Sequence, residues 1–209
     1  MRVLVTRPAV QAAEWVARLG DAGIDAAALP LIGIAPAADA AAVRAAWAGL
    51  RAMRLAVFVS PNAVAQFMAA RPPGTAWPAS VQAGSTGPGT TQALLRLGVP
   101  AAQIAEPAAD AAQFDSEALW RRLQGSDWRD APVLIVRGGG GRDWLADTLR
   151  AHGANVSLLA AYRRELPQFD APAEALLRAA LDAPQHHLWL FSSSEAVANL
   201  ALLAGETTD

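Results

Sequence analysis

The sequence predicts an α/β protein built from two similar parallel-sheet lobes. Apolar strand-like runs alternate with amphipathic helical segments along most of the 209 residues, a pattern typical of a parallel sheet covered by helices. Residues 55–65 (LAVFVSPNAVA) and 188–198 (LWLFSSSEAVA) both suggest a buried strand, a serine and a helix start. Residues 3–23 and 133–153 are similarly related, each ending its helix at a glycine. Two such lobes would leave a cleft between them, a common place for ligands.

The first elements are a strand at 2–6, a helix at 9–22 that Gly23 ends, and a strand at 26–29. Two prolines then bracket residues 31–36, and proline biases the preceding residue away from helix, so this segment predicts an extended connector. The alternation that follows predicts helix 39–50, strand 55–59, helix 62–70, strand 80–84, helix 88–97, strand 103–105, helix 116–124, strand 133–136, helix 142–152 and strand 155–160.

A second polar connector precedes Pro167, after which a helix at 172–182, a strand at 187–191 and a helix at 194–203 resume the earlier pattern. The chain therefore returns to its first lobe, and two antiparallel connectors could pair as a small ladder. The predicted domains are lobe 1 from residues 1–34 plus 166–209, an inserted lobe 2 at 38–160, and connectors at 31–37 and 160–167.

Composition narrows the class of protein. The formal net charge of −2 argues against a nucleic-acid partner, and no segment approaches the roughly 18 uninterrupted apolar residues of a membrane span. Met1 is followed at once by a charged residue and a strand without a leader, so we expect a cytoplasmic protein. The chain has no cysteine, and its three histidines lack metal-ligand spacing with carboxylates, so we expect no cysteine-based metal site and no zinc.

Candidate binding residues follow the predicted strands. Ligands of open parallel sheets bind outside the carboxyl ends of the strands, where helix N-termini favour anions. Taken alone, each such segment is explained by ordinary helix caps and turns, but together they suit a ligand with several carboxylates or phosphates. The segments are Thr6–Pro8, Ser60–Asn62, Gly87–Thr90, Arg137–Arg142 and Ser192–Ser194. The glycine run at 138–141 completes neither a P-loop nor a dinucleotide fingerprint.

Tyr162 is the only tyrosine, and it lies in the second connector beside Arg163 and Arg164. Two interpretations stay open from the residues alone. The side chain is either a packing aromatic with a solvated hydroxyl or a proton donor that faces a cleft.

An ordered set of short motifs along nearly the whole chain resembles the uroporphyrinogen-III synthase family, the cyclising enzymes of tetrapyrrole biosynthesis. The motifs are Val3-Leu-Val-Thr6-Arg7-Pro8, Phe58-Val-Ser60-Pro-Asn62, Gly87-x-x-Thr90, Asp115-Ser116-Glu117-x-Leu119, Ile135-Val-Arg137-Gly138, Gly153-Ala154-x-Val156 with Tyr162-Arg163, and Phe191-x-Ser193-x-x-Ala196-Val197. The resemblance implies two flavodoxin-like lobes joined by a two-stranded connector. It also implies cyclisation of hydroxymethylbilane to uroporphyrinogen III, with ring D inverted through a spiro intermediate.

The resemblance also implies residue roles. Tyr162 matches the tyrosine expected to help the terminal hydroxyl of the bilane depart. Substrate binding is implied for Thr6, Arg7, Ser60, Asn62, Thr90, Arg137, Gly138 and Ser193. No cofactor or metal is implied.

Family members usually continue beyond the Ser193 helix, so we expect lobe 1 to be short at its C-terminal end and its Phe191 strand to have a bare edge. A monomer is expected, although the bare edge could favour association. Two alternatives remain open at this point: a non-catalytic two-lobed module that binds an anionic metabolite, and an inactive relative of the synthase.

Overall fold

A computed structural model describes residues 1–206, and this part of the chain forms an α/β fold with parallel sheets. Its strands are β1 (Arg2–Val5), β2 (Ala26–Ala28), β3 (Gly33–Pro36), β4 (Leu55–Phe58), β5 (Gln82–Ser85), β6 (Ile104–Ala105), β7 (Pro132–Gly138), β8 (Asn155–Glu165) and β9 (His187–Leu190). Its α-helices are α1 (Ala9–Asp21), α2 (Ala40–Gly49), α3 (Pro61–Ala69), α4 (Pro88–Arg96), α5 (Ser116–Leu123), α6 (Trp144–Ala151), α7 (Ala171–Asp182) and α8 (Ser194–Glu206). Single 3₁₀ turns occupy Leu50–Ala52, Ala101–Gln103 and Pro184–His186.

The larger sheet has six strands in the order β3-β8-β7-β4-β5-β6. Its pairs β7–β8, β4–β7, β4–β5 and β5–β6 are parallel. The two predicted connectors pair in this sheet, because β3 lies beside β8. The chain builds β4, β5 and β6 outward on one side and then returns through α5 to place β7 on the other side of β4.

Counted along the chain, β4 to β8 therefore have the order 3-2-1-4-5. This is the order of a dinucleotide-binding sheet, whereas a flavodoxin-like sheet has the order 2-1-3-4-5. The expected flavodoxin-like order is therefore not followed along the chain. The order reverses between β4 and β7.

The smaller sheet has the order β2-β1-β9, and both of its strand pairs are parallel. In this sheet Val3 is opposite Ala26 on one side and Leu188 on the other. Among residues 1–206, β9 pairs only with β1. Leu188 in this edge strand is 52% exposed, and Phe191, just after it, is 37% exposed.

The chain divides into two compact units, one of residues 36–163 and one that combines residues 1–35 with the chain from Arg164 onward. The last three positions of the predicted first lobe, 207–209, lie outside the described residues. In the described part of the chain, no helix is both long and apolar enough to cross a membrane.

Unit 36–163 buries both faces of its sheet, as parallel sheets do. Leu55 and Val57 of β4 belong to a core cluster that includes Leu119 of α5 and Leu149 of α6. On the other face an aromatic group is packed around Phe67 of α3. Its ring centroid lies 5.0 Å from that of Trp47 and 5.5 Å from that of Phe58. The alternation of β4 side chains thus assigns one core to each face.

The other unit has its own apolar core, in which the fully buried Leu4, Leu29 and Leu31 pack in one cluster with Leu177 of α7 and Leu203 of α8. The side-chain amide of Asn199 in α8 donates a hydrogen bond of 2.7 Å to the carbonyl of Leu31. Helix α8 is therefore held by a polar contact as well as by burial.

Candidate active site

The candidate site lies where the strand order of the larger sheet reverses. Phe58 of β4 is opposite Val136 of β7, and because these strands are parallel, their carboxyl ends reach the same edge of the sheet. Ser60 follows β4, and Gly138 is the last residue of β7. Ligands of open α/β sheets bind in the crevice outside the strand ends at such a switch point.

A bulge in β8 directs Tyr162 toward this point. Arg137 is opposite Ala160, but the next residue, Gly138, is opposite Tyr162, so β8 carries one extra residue at Ala161. A bulge of this kind re-aims the following side chain and is common beside active sites. The amide of Gly139 closes the irregular pairing with a 3.0 Å hydrogen bond to the carbonyl of Tyr162.

The ring of Tyr162 lies directly over Gly138. A Cβ atom at Gly138 would be 2.8 Å from Cζ of the tyrosine, 2.9 Å from Cε2 and 3.1 Å from the hydroxyl oxygen. The first two distances are shorter than real Cβ atoms show, so the ring can occupy this place because residue 138 is a glycine. Gly138 thus provides space for Tyr162.

The hydroxyl of Tyr162 is 3.1 Å from Oγ of Ser60. Ser60 has an extended backbone and caps α3, because its Oγ accepts a 3.1 Å hydrogen bond from the amide of Ala63. Tyr162 itself is only 2% exposed. The tyrosine is therefore a packed aromatic, as one interpretation of the sequence expected. Its hydroxyl contacts the side chain of Ser60.

Both arginines beside the glycine run are ion-paired. Arg137 pairs with Asp143, and Nη1 of Arg142 is 2.9 Å from Oε1 of Glu117. The side chain of Arg137 is 17% exposed. The structure thus holds the Arg137 guanidinium near the end of β7 through a carboxylate that the sequence interpretation did not identify.

Thr90 lies in the first turn of α4 and is 4% exposed, so little of its surface is accessible to a ligand. Beside it is a polar cluster that the sequence interpretation missed. Oγ1 of Thr91 lies 2.9 Å from Oγ of Ser85 and 2.6 Å from Oε2 of Glu106. Ser85 also donates a 2.9 Å hydrogen bond to the carbonyl of Gly87, so the cluster fixes the loop that precedes α4. The sequence signal that could have indicated this cluster was Ser85, a polar residue at the end of a strand.

Asn62 lies in the first turn of α3, two residues after Ser60, and is half-buried. The structure brings Ser60, Gly138 and Tyr162 together. Three further predicted residues, Thr6, Arg7 and Ser193, belong to the other unit.

In that unit Thr6 is fully buried and donates a 2.9 Å hydrogen bond to the carbonyl of Leu190, which joins the ends of β1 and β9. Ser193 accepts a 3.2 Å hydrogen bond from the amide of Glu195 at the start of α8. Both hydroxyls therefore serve the local backbone, and Thr6 has no exposed surface to offer a ligand.

Arg7 is different, because its Nε is buried without a hydrogen-bond partner among the described residues. Its guanidinium carbon is 5.9 Å from the centre of the Trp15 ring, and that of Arg18 is 5.6 Å from the same ring. An unsatisfied buried N–H costs about 1–3 kcal/mol.

Two cavities are lined by other residues. One of about 610 Å³, in unit 36–163, is lined by residues that include Val43, Arg44, Gln66 and Ala161. The other, of about 540 Å³ in the second unit, is lined in part by Phe169. Neither contains a predicted site residue, and we place the candidate site by its chemistry and strand order rather than by cavity size. Among residues 1–206, no group of three or more histidines and carboxylates is arranged to hold a metal ion.

Sequence comparisons with known proteins identify the same family. The family model described as uroporphyrinogen-III synthase HemD matches residues 13–209. The uroporphyrinogen-III synthase of Salmonella typhimurium is 31% identical over 177 residues, which cover 84% of this chain and 70% of that protein. Its Escherichia coli counterpart is 30% identical over the same shares.

Solved structures resemble the fold. A mutant uroporphyrinogen III synthase from the extremely thermophilic bacterium Thermus thermophilus matches with a TM-score of 0.56 and 18% identity, over 96% of this chain and 75% of that one. The wild-type protein in a second crystal form matches with a TM-score of 0.51 and 19% identity, over 99% of this chain and 77% of that one. At these identities the likeness concerns the fold alone.

Proposed function

Because this chain belongs to the uroporphyrinogen-III synthase family of enzymes, we propose that it closes the linear tetrapyrrole hydroxymethylbilane to uroporphyrinogen III with inversion of ring D. The terminal hydroxyl of the bilane takes up a proton and leaves as water. Ring D then attacks through its substituted carbon to form a spiro intermediate, which fragments and closes again with ring D inverted. The net change is the loss of one water, with no oxidation or reduction, so the proposal requires no cofactor.

The observation that carries the proposal is the position of Tyr162. Its hydroxyl lies at the switch point of the larger sheet, 3.1 Å from Ser60. A positioned phenol can donate a proton to a departing hydroxyl, and such general-acid assistance contributes typically about 10²–10⁴-fold to a rate. We assign this role to Tyr162.

Substrate binding is proposed for the remaining residues. The bilane carries acetate and propionate arms, and guanidiniums and helix N-termini are good partners for carboxylates. Arg7 is proposed because it follows the carboxyl end of β1, where ligands of parallel sheets bind. Arg137 would exchange part of its pairing with Asp143 for a substrate carboxylate. We assign supporting roles in binding to Asn62, Thr90 and Ser193. To the buried Thr6 we assign a role in holding the loop between β1 and α1, which carries Arg7.

We further propose that unit 36–163 and the unit formed by the two chain ends are the two lobes that the sequence predicts. A cytoplasmic location and a monomeric state also remain proposals.

Product analysis tests the function. Hydroxymethylbilane is unstable, so it is generated in place from porphobilinogen by its synthase, and the oxidised products are separated by chromatography into type I and type III uroporphyrin. The bilane closes unaided to the type I isomer, so the protein is expected to yield type III in excess over a control without it. Type I alone, from protein shown to be folded by circular dichroism, would contradict the proposal and favour a binding module or an inactive relative.

A further inference from the structure

We infer that Ser60 is a positioning residue for Tyr162: it donates its hydroxyl proton to the phenol oxygen and so directs the phenol proton away from itself, toward the substrate. This inference rests on the proposed role of Tyr162 as proton donor. It gives Ser60 a task different from carboxylate binding, the role implied by the family resemblance.

The partners of Ser60 favour the direction that we infer. A serine hydroxyl has one proton to donate and two lone pairs to accept with. One lone pair is used, because Oγ accepts the amide of Ala63 at 3.1 Å as the cap of α3. The phenol oxygen of Tyr162, also at 3.1 Å, is the acceptor the structure places within reach of the serine proton.

The ring of Tyr162 cannot avoid this contact. It is 2% exposed, its backbone carbonyl is bonded to the amide of Gly139, and its face rests on the hydrogen of Gly138. A phenolic O–H lies near the ring plane and has two directions available within it. Once Ser60 donates along one direction, the phenol proton takes the other.

The hydrogen bonds also support one another. The amide of Ala63 donates to Ser60, Ser60 donates to Tyr162, and the phenol proton is then available to the substrate. Chains of donors that point the same way polarise each other. The N-terminus of α3, a helix of 9 residues, adds its partial positive charge at the serine end of the chain.

Infrared spectroscopy tests the direction of the bond independently of activity. The chain has one tyrosine, so isotope-labelled tyrosine reports Tyr162 alone. The phenol C–O stretch falls in frequency when the oxygen accepts a hydrogen bond and rises when the hydroxyl donates. Ser60→Ala is therefore expected to raise the frequency by removing an accepted bond. A fall would show that Tyr162 donates to Ser60, and an unchanged frequency would show that they do not interact; either result overturns the inference.

A second helix cap gives the matched control. Asp39 caps α2 by accepting a 2.9 Å hydrogen bond from the amide of Ala42, so Asp39→Ala removes a cap without touching Tyr162. It is expected to leave the C–O frequency unchanged. A shift in Asp39→Ala equal to that in Ser60→Ala would mean that general loosening, not the serine contact, moves the band, and would overturn the inference.

Kinetics of type III formation test the consequence. One hydrogen bond contributes about 0.5–1.5 kcal/mol, so Ser60→Ala is expected to lower kcat roughly two- to tenfold with little change in KM. Ser60→Thr, which keeps a hydroxyl and a cap, is expected to restore most of it. Because Ser60 acts through Tyr162, adding Ser60→Ala to Tyr162→Phe is expected to cause no further loss.

If Ser60→Ala lowered kcat as much in the Tyr162→Phe background as it does alone, Ser60 would act on the substrate directly, and the inference would be overturned. If the wild-type chain forms no type III product, the proposed function fails, and the infrared test still decides whether Ser60 donates to Tyr162.

Discussion

Replacing Gly138 with alanine should displace the one tyrosine of the chain. The added Cβ would lie 2.8 Å from Cζ of Tyr162, and ordinary contact begins at 3.4 Å, so the ring must retreat by about 0.6 Å. The ring is buried, and its hydroxyl is 3.1 Å from Ser60, so the retreat strains both its packing and this hydrogen bond. Overpacking of this kind typically costs about 1–3 kcal/mol. Since a misplacement of about 1 Å can cost about 100-fold, we expect the rate of type III formation to fall on the order of tenfold.

The neighbouring glycine is a matched control. A Cβ at Gly139 would meet no atom within 4 Å, and its φ is not among the left-handed values, so Gly139→Ala is expected to fold and react like the wild type. Urea unfolding followed by tryptophan fluorescence measures the free energy of unfolding, and chromatography of the products measures the rate. If Gly138→Ala matched Gly139→Ala in both measurements, the close contact between Gly138 and Tyr162 would be refuted.

Three further predictions concern the frame around the site and its surface charges. Phe67→Ala removes a fully buried ring and should lower the free energy of unfolding by about 3–5 kcal/mol in urea titrations, and a loss below about 1 kcal/mol would contradict the described core. Asp170 caps α7 by accepting from the amide of Ala173, so Asp170→Ala should lower the free energy of unfolding by about 1 kcal/mol in the same assay. An unchanged free energy of unfolding would show that this cap does not stabilise the helix. The side-chain hydrogen bond from Arg129 lowers the pKa of Asp127 from 3.8 to about 2, so the folded chain keeps this carboxylate ionised until the pH falls through about 2. Carboxyl NMR titration should show that midpoint, and Arg129→Ala should return it toward 3.8.

Local sequence patterns located the helices and strands because their causes are local. A strand was expected at 55–59 and is found at Leu55–Phe58, since four adjacent apolar residues fit a strand buried on both faces. Asp115, which directly precedes the helix expected at 116–124, caps α5 by accepting from the amide of Ala118. Gly98 and Gly153 both adopt left-handed φ values after their helices, where a side chain would be strained.

Features that depend on partners in space were predicted less well. The strand expected at 80–84 begins only at Gln82, because the amide of Val81 closes a turn onto the carbonyl of Pro78. The strand expected at 155–160 continues to Glu165, because the connector that follows it finds a partner in β3. The strand order along the chain was likewise not predictable from single-strand patterns.

The same limit applies to the site. The sequence singled out Tyr162, Ser60 and Gly138, since each is a polar or flexible residue at a strand or connector end. Their mutual contact depends on a register shift between β7 and β8, which no spacing within one segment encodes. The partner of Thr91 was missed for the same reason, because Glu106 follows a different strand, β6. Asp143 lies only six residues after Arg137, but the sequence of the glycine run does not show that the loop folds back to bring the carboxylate to the guanidinium.

The most direct test of the proposed chemistry compares wild-type protein with Tyr162→Phe in single-turnover formation of type III product from hydroxymethylbilane. Phenylalanine keeps the buried ring over Gly138 and removes only the hydroxyl that contacts Ser60. If Tyr162 donates the proton, the rate should fall by about 10²–10⁴-fold while bilane binding is nearly unchanged. A Tyr162→Phe rate equal to that of the wild type would show that the hydroxyl has no part in the reaction.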